Sequence, residues 1–193
     1  MTLVIAFIGK NGAVMAGDMR EITFEGEKSD REKLEKELYS GAIVTDEELV
    51  KKAEESGVKI TVTDCKEKVL ERNGVLVGEV SSVEGGVVKK RRLYASAGNY
   101  AIAELINTEM MLSSHGNGSN FIAFGNELTK QVANKCFKDH WTKKSNLQDA
   151  VKILILCMEN AARKTASVSK HFMVVQTSSN ADVLKVVEND RNG

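Results

Sequence analysis

The sequence predicts an α+β fold, and three observations predict it. Strand-like runs open the chain and recur from Lys59 with a two-residue hydrophobic period, helical stripes follow, and a strand-like run returns near the end. The dipeptides Asn73-Gly74 and Gly85-Gly86 separate adjacent runs as tight hairpin turns, which makes neighbouring strands antiparallel. No internal repeat, low-complexity tract or linker interrupts the chain. Strands, then helices, then strands suggest layered α+β architecture built as one domain.

Taken in order, Leu3–Ile8 is continuously apolar, the mark of a strand buried on both faces. Lys10-Asn11-Gly12 reads as a hairpin turn, and Ala13 to Phe24 as the return strand. A charged stretch with two short helices follows. Ser29-Asp-Arg-Glu32 and Thr45-Asp-Glu-Glu48 both have the spacing of a capping box, and Gly41 and Gly57 stop the helices. Lys59–Asp64, Lys68–Arg72, Val75–Ser82 and Val87–Ala97 read as strands, and Ala101–Leu112 leans to strand. Phe121, Phe124, Leu128, Val132 and Cys136 share one helical stripe. Ser145-Asn-Leu-Gln148 resembles a third capping box, opening the longest helix, Leu147–Ala162. Its middle, Ile153–Met158, is apolar all round and predicts cover on more than one side. His171–Thr177 is a closing strand, and Val183–Val187 reads as a further strand.

Composition narrows the function. The 193 residues carry 27 basic and 27 acidic side chains, so the charge excess of a sequence-blind nucleic-acid binder is missing. Hydrophobic residues are 42% and charged residues 28%, close to an ordinary soluble chain. Leu3–Ile8 is too short to span a membrane and lacks a basic flank, so no signal peptide or membrane insertion is expected. Cys65, Cys136 and Cys157 are too scattered for a disulfide framework and fit no zinc spacing with His115, His140 and His171. We expect reduced thiols, no metal, no cofactor and a cytoplasmic location. Proline is absent, which excludes Pro-rich linkers.

Most catalytic motifs are missing: no phosphate loop, dinucleotide fingerprint, nucleophile elbow or HExxH. The informative feature is Thr2, which becomes the first residue once Met1 is removed. A threonine hydroxyl is a weak nucleophile, but an N-terminal one carries its own base, a free α-amine of pKa about 7.7–8.0. Asp18 and Arg20 lie on the return strand, and register decides whether they share a face with Thr2. A two-residue Asn11-Gly12 loop pairs Lys10 with Ala13 and puts them on the opposite face. A three-residue loop, with Gly12 left-handed in a bulge, pairs Gly9 with Ala13; Thr2 then faces Arg20 and Val4 faces Asp18. The second register, which we expect, brackets the first residue with a buried Asp–Arg pair.

The run Thr2-Leu-Val-Ile-Ala-Phe-Ile-Gly-Lys-Asn-Gly-Ala-Val-Met-Ala-Gly-Asp18-Met-Arg20 resembles the start of proteasome β subunits, N-terminal-nucleophile hydrolases whose mature chain begins with a catalytic threonine. Gly116-Asn117-Gly118-Ser119-Asn120-Phe121 is similar to that family's Gly-Ser-Gly turn and the helix it opens, and the likeness continues through Asp149–Lys164 and Phe172–Gln176. The opening Thr-Leu-Val and the Gly17-Asp-Met-Arg-Glu run resemble more closely the connectases of methanogenic archaea, protein ligases related to proteasome β subunits. Some members of that group continue into a further domain. The resemblance implies a reduced αββα sandwich over residues 1–193, with Leu3–Ile8 central in its sheet and a helical insertion at about 25–58. It implies catalysis by Thr2, Asp18, Arg20 and a lysine, for which Lys59-Ile-Thr-Val-Thr-Asp64 is the best match; Lys28 and Lys33 are the rivals. It assigns Gly116, Asn117, Gly118 and Ser119 to substrate binding, with His115 beside them. Asn117 stands where the family has Ser, and Thr165 where it has Asp; Ser119, Thr165, Ser167 or Ser169 would have to replace the lost hydrogen bonds. The implied reaction transfers a peptide through Thr2 to another peptide's N-terminus, at a recognition motif Lys-Asp-Pro-Gly-Ala in a methyltransferase subunit. A threonine peptidase or amidase, or an inactive binding module, would use the same scaffold.

Overall fold

The computed structural model describes residues 3–84 and 86–192; Thr2 and Gly85 lie outside them. In chain order the elements are β1 (Val4–Gly9), β2 (Gly12–Asp18), β3 (Glu21–Glu25), α1 (Lys28–Ser40), α2 (Asp46–Glu55), β4 (Lys59–Thr63), β5 (Val69–Arg72) and β6 (Val75–Glu84). They continue with β7 (Val87–Ser96), β8 (Asn99–Ile106), β9 (Glu109–Asn117), β10 (Asn120–Phe124), α3 (Glu127–His140), α4 (Leu147–Ala162), β11 (Phe172–Thr177) and α5 (Val183–Asn192).

The uninterrupted apolar sequence of β1 and β2 fits the centre of a sheet, and both lie inside the order β10-β1-β2-β11. Alternation then sorts their side chains. Leu3, Ile5, Phe7, Val14 and Ala16 pack on α3 and α4 with Leu154, Cys157 and Phe137. Val4, Ala6, Ile8, Ala13 and Met15 pack on Val69, Leu76, Leu93 and Ala95 of a second antiparallel sheet, ordered β5-β6-β7-β8-β9. The outer face of that sheet is covered by Val183 and Val187 of α5, against Tyr94 and Ala101. The layers therefore run helix, sheet, sheet, helix, an αββα sandwich with a single helix on one outer face. Between β3 and β4, which pair with each other, α1 and α2 form a satellite core around Leu34, Leu38, Leu49 and Ala53.

Several expectations need correction. The β1–β2 loop is Lys10-Asn11, with Gly9 paired to Gly12 and Val4 to Gly17, so neither register considered above occurs. Gly12 is not left-handed but is the first residue of β2. Glycine is needed there for proximity: a Cβ would lie 2.6 Å from Leu147 Cδ2 and 2.7 Å from Thr177 O. Asp18 consequently lies opposite Leu3, whose carbonyl accepts its amide at 3.1 Å, and not opposite Val4. The Thr2 half of that expectation lies outside the described residues. The return strand is also broken at Met19-Arg20, after which β3 leaves the central sheet to pair with β4.

Four local readings change as well. Phe121 and Phe124 belong to strand β10, and α3 starts only after the Asn126 N-cap. The first capping box is absent, since α1 starts at Lys28 with Glu27 as N-cap; the second is formed by Thr45 and Glu48. The third belongs to Asn146 and Asp149, one residue later than expected. Val183–Val187 is helical because Val183, Val187 and Leu184 form an apolar stripe that closes over the outer sheet. Ala101–Leu112 is a hairpin turning at Asn107, φ +58°. Asn73-Gly74 turns as expected, with both residues left-handed.

Candidate active site

The site is built where β1 begins. Asp18, the last residue of β2, is fully buried and accepts three hydrogen bonds: from Leu3 N at 2.7 Å, Arg20 N at 2.8 Å and Lys68 Nζ at 2.9 Å. Leu3 N is the amide that follows Thr2, so the carboxylate is fixed one peptide unit from the chain's first candidate nucleophile. Lys68 enters from the second sheet, just before β5; its side chain is 3% exposed, and it also donates to Arg20 O at 2.6 Å. Burial pushes its ammonium below the ordinary lysine value, and the Asp18 charge opposes that shift without cancelling it.

Arg20 faces away from Asp18 and ties three segments together. Its Nε and Nη2 hold the Asp64 carboxylate side-on at 2.8 and 2.9 Å, its Nη1 and Nη2 meet Asp46 at the first turn of α2, and Nη1 donates to Ala166 O at 2.6 Å. The Asp64 hydrogen bonds raise the Arg20 pKa further above its ordinary value, and the guanidinium holds the Asp64 carboxyl below its own. The break at Met19-Arg20 thus serves a purpose, because it turns Arg20 from the sheet into this knot.

A third wall is hydroxyl-rich. Thr165, Ser167 and Ser169 are buried in the turn after α4, which Arg20 holds through Ala166 O. Ser167 Oγ lies 3.0 Å from Thr165 Oγ1 and accepts from Asn126 Nδ2 at 3.3 Å. Asn126 is also the α3 N-cap, its Oδ1 accepting Thr129 N at 2.9 Å. Val4 pairs with Phe124, so Gly125-Asn126 sits at the Leu3 end of β1. A cleft of about 920 Å³, bounded by β3, α1 and the strands β5 and β6, has Arg20 and Lys68 in its lining.

The structure brings together Asp18, Arg20 and, from the alternatives for the lost hydrogen bonds, Thr165, Ser167 and Ser169. Thr2 itself is outside the described residues. Lys59 is not brought there: it starts β4, is 76% exposed and pairs with Glu25. Lys28 and Lys33 are exposed on α1. The lysine beside Asp18 is Lys68. The turn Gly116-Asn117-Gly118-Ser119 is also misplaced, because Ile8 pairs with Asn120 and the turn therefore lies at the far end of β1, about 17 Å away at strand rise. There Gly116 and Asn117 line a separate pocket of about 250 Å³ with exposed His115. The turn that opens the helix is Gly125-Asn126.

A family model described as the N-terminal domain of MJ0548-like connectase matches residues 1–192. The chain belongs to the connectase family. No curated protein matches it. Among solved structures it is similar to Anbu, the ancestral beta-subunit, from Yersinia bercovieri, at 9% identity and TM-score 0.43, covering 100% of this chain and 92% of that one. It is also similar to Anbu from Hyphomicrobium sp. strain MC1, at 9% identity and TM-score 0.48, covering 97% and 92%. For the Gly-1 mutant of the latter the values are 12%, 0.42, 100% and 92%. Among the described residues no helix is long and apolar enough to cross a membrane.

Proposed function

We propose that this connectase chain ligates peptides by transpeptidation through Thr2, using the buried Lys68–Asp18 pair. That pair, joined to the amide after Thr2, is the observation that carries the reading. A charged Lys68 disfavours protonation of a nearby α-amine, which leaves the Thr2 amine neutral near pH 7. The amine takes the Oγ proton as Oγ attacks a scissile carbonyl, and the proton then goes to the departing amine. The ester formed is adjacent to the amine of the same residue. Attack by that amine through a five-membered ring moves the acyl group from Oγ to N and returns a proton to Oγ. The amide resists water and waits for a second peptide's N-terminus, which reverses the sequence. Amide is exchanged for amide at near-zero net free energy, provided water is kept from the site. Asp18 positions Lys68, and Arg20 positions the β2–β3 break and the Thr165–Ser169 turn.

The proposed substrate is a protein carrying Lys-Asp-Pro-Gly-Ala, in a methyltransferase subunit, and the proposed location is the cytoplasm. Intact mass of purified protein first establishes whether Met1 is gone. Processed protein mixed with a Lys-Asp-Pro-Gly-Ala peptide is expected to gain the mass of the acyl fragment on Thr2, and to pass it to an added peptide amine. Thr2→Ala abolishes both products. Hydrolysis alone would make the chain a threonine peptidase, and no adduct or cleavage with that peptide or a peptide library would leave a binding module.

A further inference from the structure

The sequence places asparagine before glycine four times, at Asn11-Gly12, Asn73-Gly74, Asn117-Gly118 and Asn192-Gly193. In such a pair the glycine amide nitrogen, with no Cβ beside it, can attack the asparagine side chain. The bond from glycine N to Cγ forms, the Cγ–Nδ2 bond breaks, and the amide proton leaves with Nδ2 as ammonia. Water then opens the five-membered imide at either carbonyl, leaving aspartate or isoaspartate. The reaction starts when the glycine amide gives up its proton, so the acceptor that holds this proton governs the rate.

Two of these glycines are tied into backbone. Gly118 N donates to Gly98 O at 2.7 Å, and Gly12 is a buried ladder residue paired with Gly9. Gly193 lies outside the described residues. Asn73-Gly74 differs. Arg72 pairs with Val75, so both residues sit in the turn outside the ladder, left-handed at φ +54° and +82°. Asn73 is exposed, within reach of the water the reaction needs. The Gly74 amide donates to a side chain, Glu71 Oε1, at 2.5 Å. Thr177 Oγ1 donates to Gly74 O at 3.1 Å and pins the turn from the other side.

We propose that Asn73 is a latent self-modification site and that Glu71 keeps it closed. The carboxylate holds the Gly74 proton in a charge-assisted hydrogen bond. Its negative charge, this close, also disfavours the amide anion that would attack. The consequence reaches the candidate site. This turn sets the β5–β6 register, and Lys68 stands immediately before β5. An isoaspartate reroutes the main chain through the side-chain carbons and disturbs the strand that carries Lys68 to Asp18.

The test is ageing. Wild type, Glu71→Ala, Glu71→Gln and Glu67→Ala are kept in warm, mildly alkaline buffer, and peptide mapping by mass spectrometry follows amide-to-acid conversion at each asparagine. Amide hydrogen exchange over residues 69–78 shows whether the hairpin stays paired. We expect conversion at Asn73 to speed up at least about tenfold in Glu71→Ala, as loss of a hydrogen bond to a charged group implies. Glu71→Gln, which keeps the shape and loses the charge, should fall between. Glu67→Ala, at an exposed position before β5, should match wild type, and so should the Asn117 rate in every variant. Wild-type Asn73 reacting as fast as a free Asn-Gly peptide overturns the proposal, as does an unchanged rate in Glu71→Ala or an equal rise at Asn117. A slower rate in Glu71→Ala also overturns it, because the carboxylate would then be drawing the proton off instead of holding it. If Glu71→Ala opens the hairpin, Glu71→Gln decides: a faster Asn73 with the hairpin paired upholds the role of Glu71, and an unchanged one removes it.

Discussion

At its Leu3 end β1 meets ions, and at its Gly9 end it meets backbone. Around Leu3 the chain buries Asp18, Lys68 and Arg20, three charges each held by several partners. Around Gly9 the contacts are glycine on glycine: Gly9 pairs with Gly12, Gly98 N donates to Gly9 O at 2.9 Å, and Gly118 N to Gly98 O at 2.7 Å. Desolvating a charge costs several kcal/mol, and its partner repays that only when the geometry is good. Close backbone approach carries no such cost and holds no chemistry. The same sheet thus separates a reactive end from a structural one, and mutations at the two ends should fail in different ways.

The largest effect is expected at the ion end. Lys68→Ala removes the group beside Asp18 and leaves a buried carboxylate without its counter-ion. Adduct formation on Thr2 should fall at least 100-fold, and stability by about 3–5 kcal/mol. Lys59→Ala, at an exposed pair with Glu25, should change neither measurably. Mass spectrometry of the adduct and denaturant melts read both quantities. Loss of the adduct in Lys59→Ala with retention in Lys68→Ala would invert the assignment.

At the glycine end the expected failure is in folding. Gly12→Ala pushes a methyl group toward Leu147 and the Thr177 carbonyl, and the backbone carbonyl cannot step aside. Overpacking of this kind costs about 1–3 kcal/mol. Adduct yield per folded molecule should be unchanged, which separates this variant from Lys68→Ala. A smaller contrast divides two asparagines. Asn126→Ala loses an N-cap and the Ser167 contact, for about 1–2 kcal/mol and a slower adduct. Asn117→Ala, exposed at the far turn, should stay within about 0.5 kcal/mol of wild type with an unchanged rate.

The layers of the fold were legible because period-two runs, hairpin glycines and one long apolar helix agree with each other; α4 spans the expected Leu147–Ala162. The site was legible only in part. Asp18 and Arg20 stand out through their spacing from Thr2, but the register around Gly12 was not readable. A glycine in Lys10-Asn11-Gly12 serves a left-handed turn or a close approach equally well, and the neighbour that decides, Leu147, is 135 residues away in sequence. Lys68 was hidden for a related reason. Lys59 heads a run that fits the family pattern better, yet it shares a strand face with Thr61 and Thr63, and that polar alternation marks a solvent side. Asn126 was masked by Phe121 and Phe124, whose spacing of three imitates a helix while they sit in β10. The Asn-Glu-Leu-Thr cap signal at 126–129 was the readable clue.

The finest test of the contrast uses pH. Lys68 is the ion whose burial is least repaid, since its pKa is lowered despite Asp18. Between that lowered value and the ordinary 10.5 of the unfolded chain, the unfolded state binds more protons than the native one. Native stability must therefore rise with pH through that window, by at most about 1.4 kcal/mol per pH unit from this group. Below the window both states hold the proton and the full cost of the buried ammonium remains. Lys68→Met deletes the titration, so the wild-type-minus-variant difference in unfolding free energy should climb as pH is raised toward 10.5. Lys59→Met, at the exposed pair with Glu25, is the surface control in the same measurement. The measurement is a set of urea melts at half-unit steps from pH 7.5 to 10 (about six points are enough to define the slope). A flat difference for Lys68→Met would mean that Asp18 fully offsets the burial of Lys68, and the ion end of β1 would then hold no unrepaid charge.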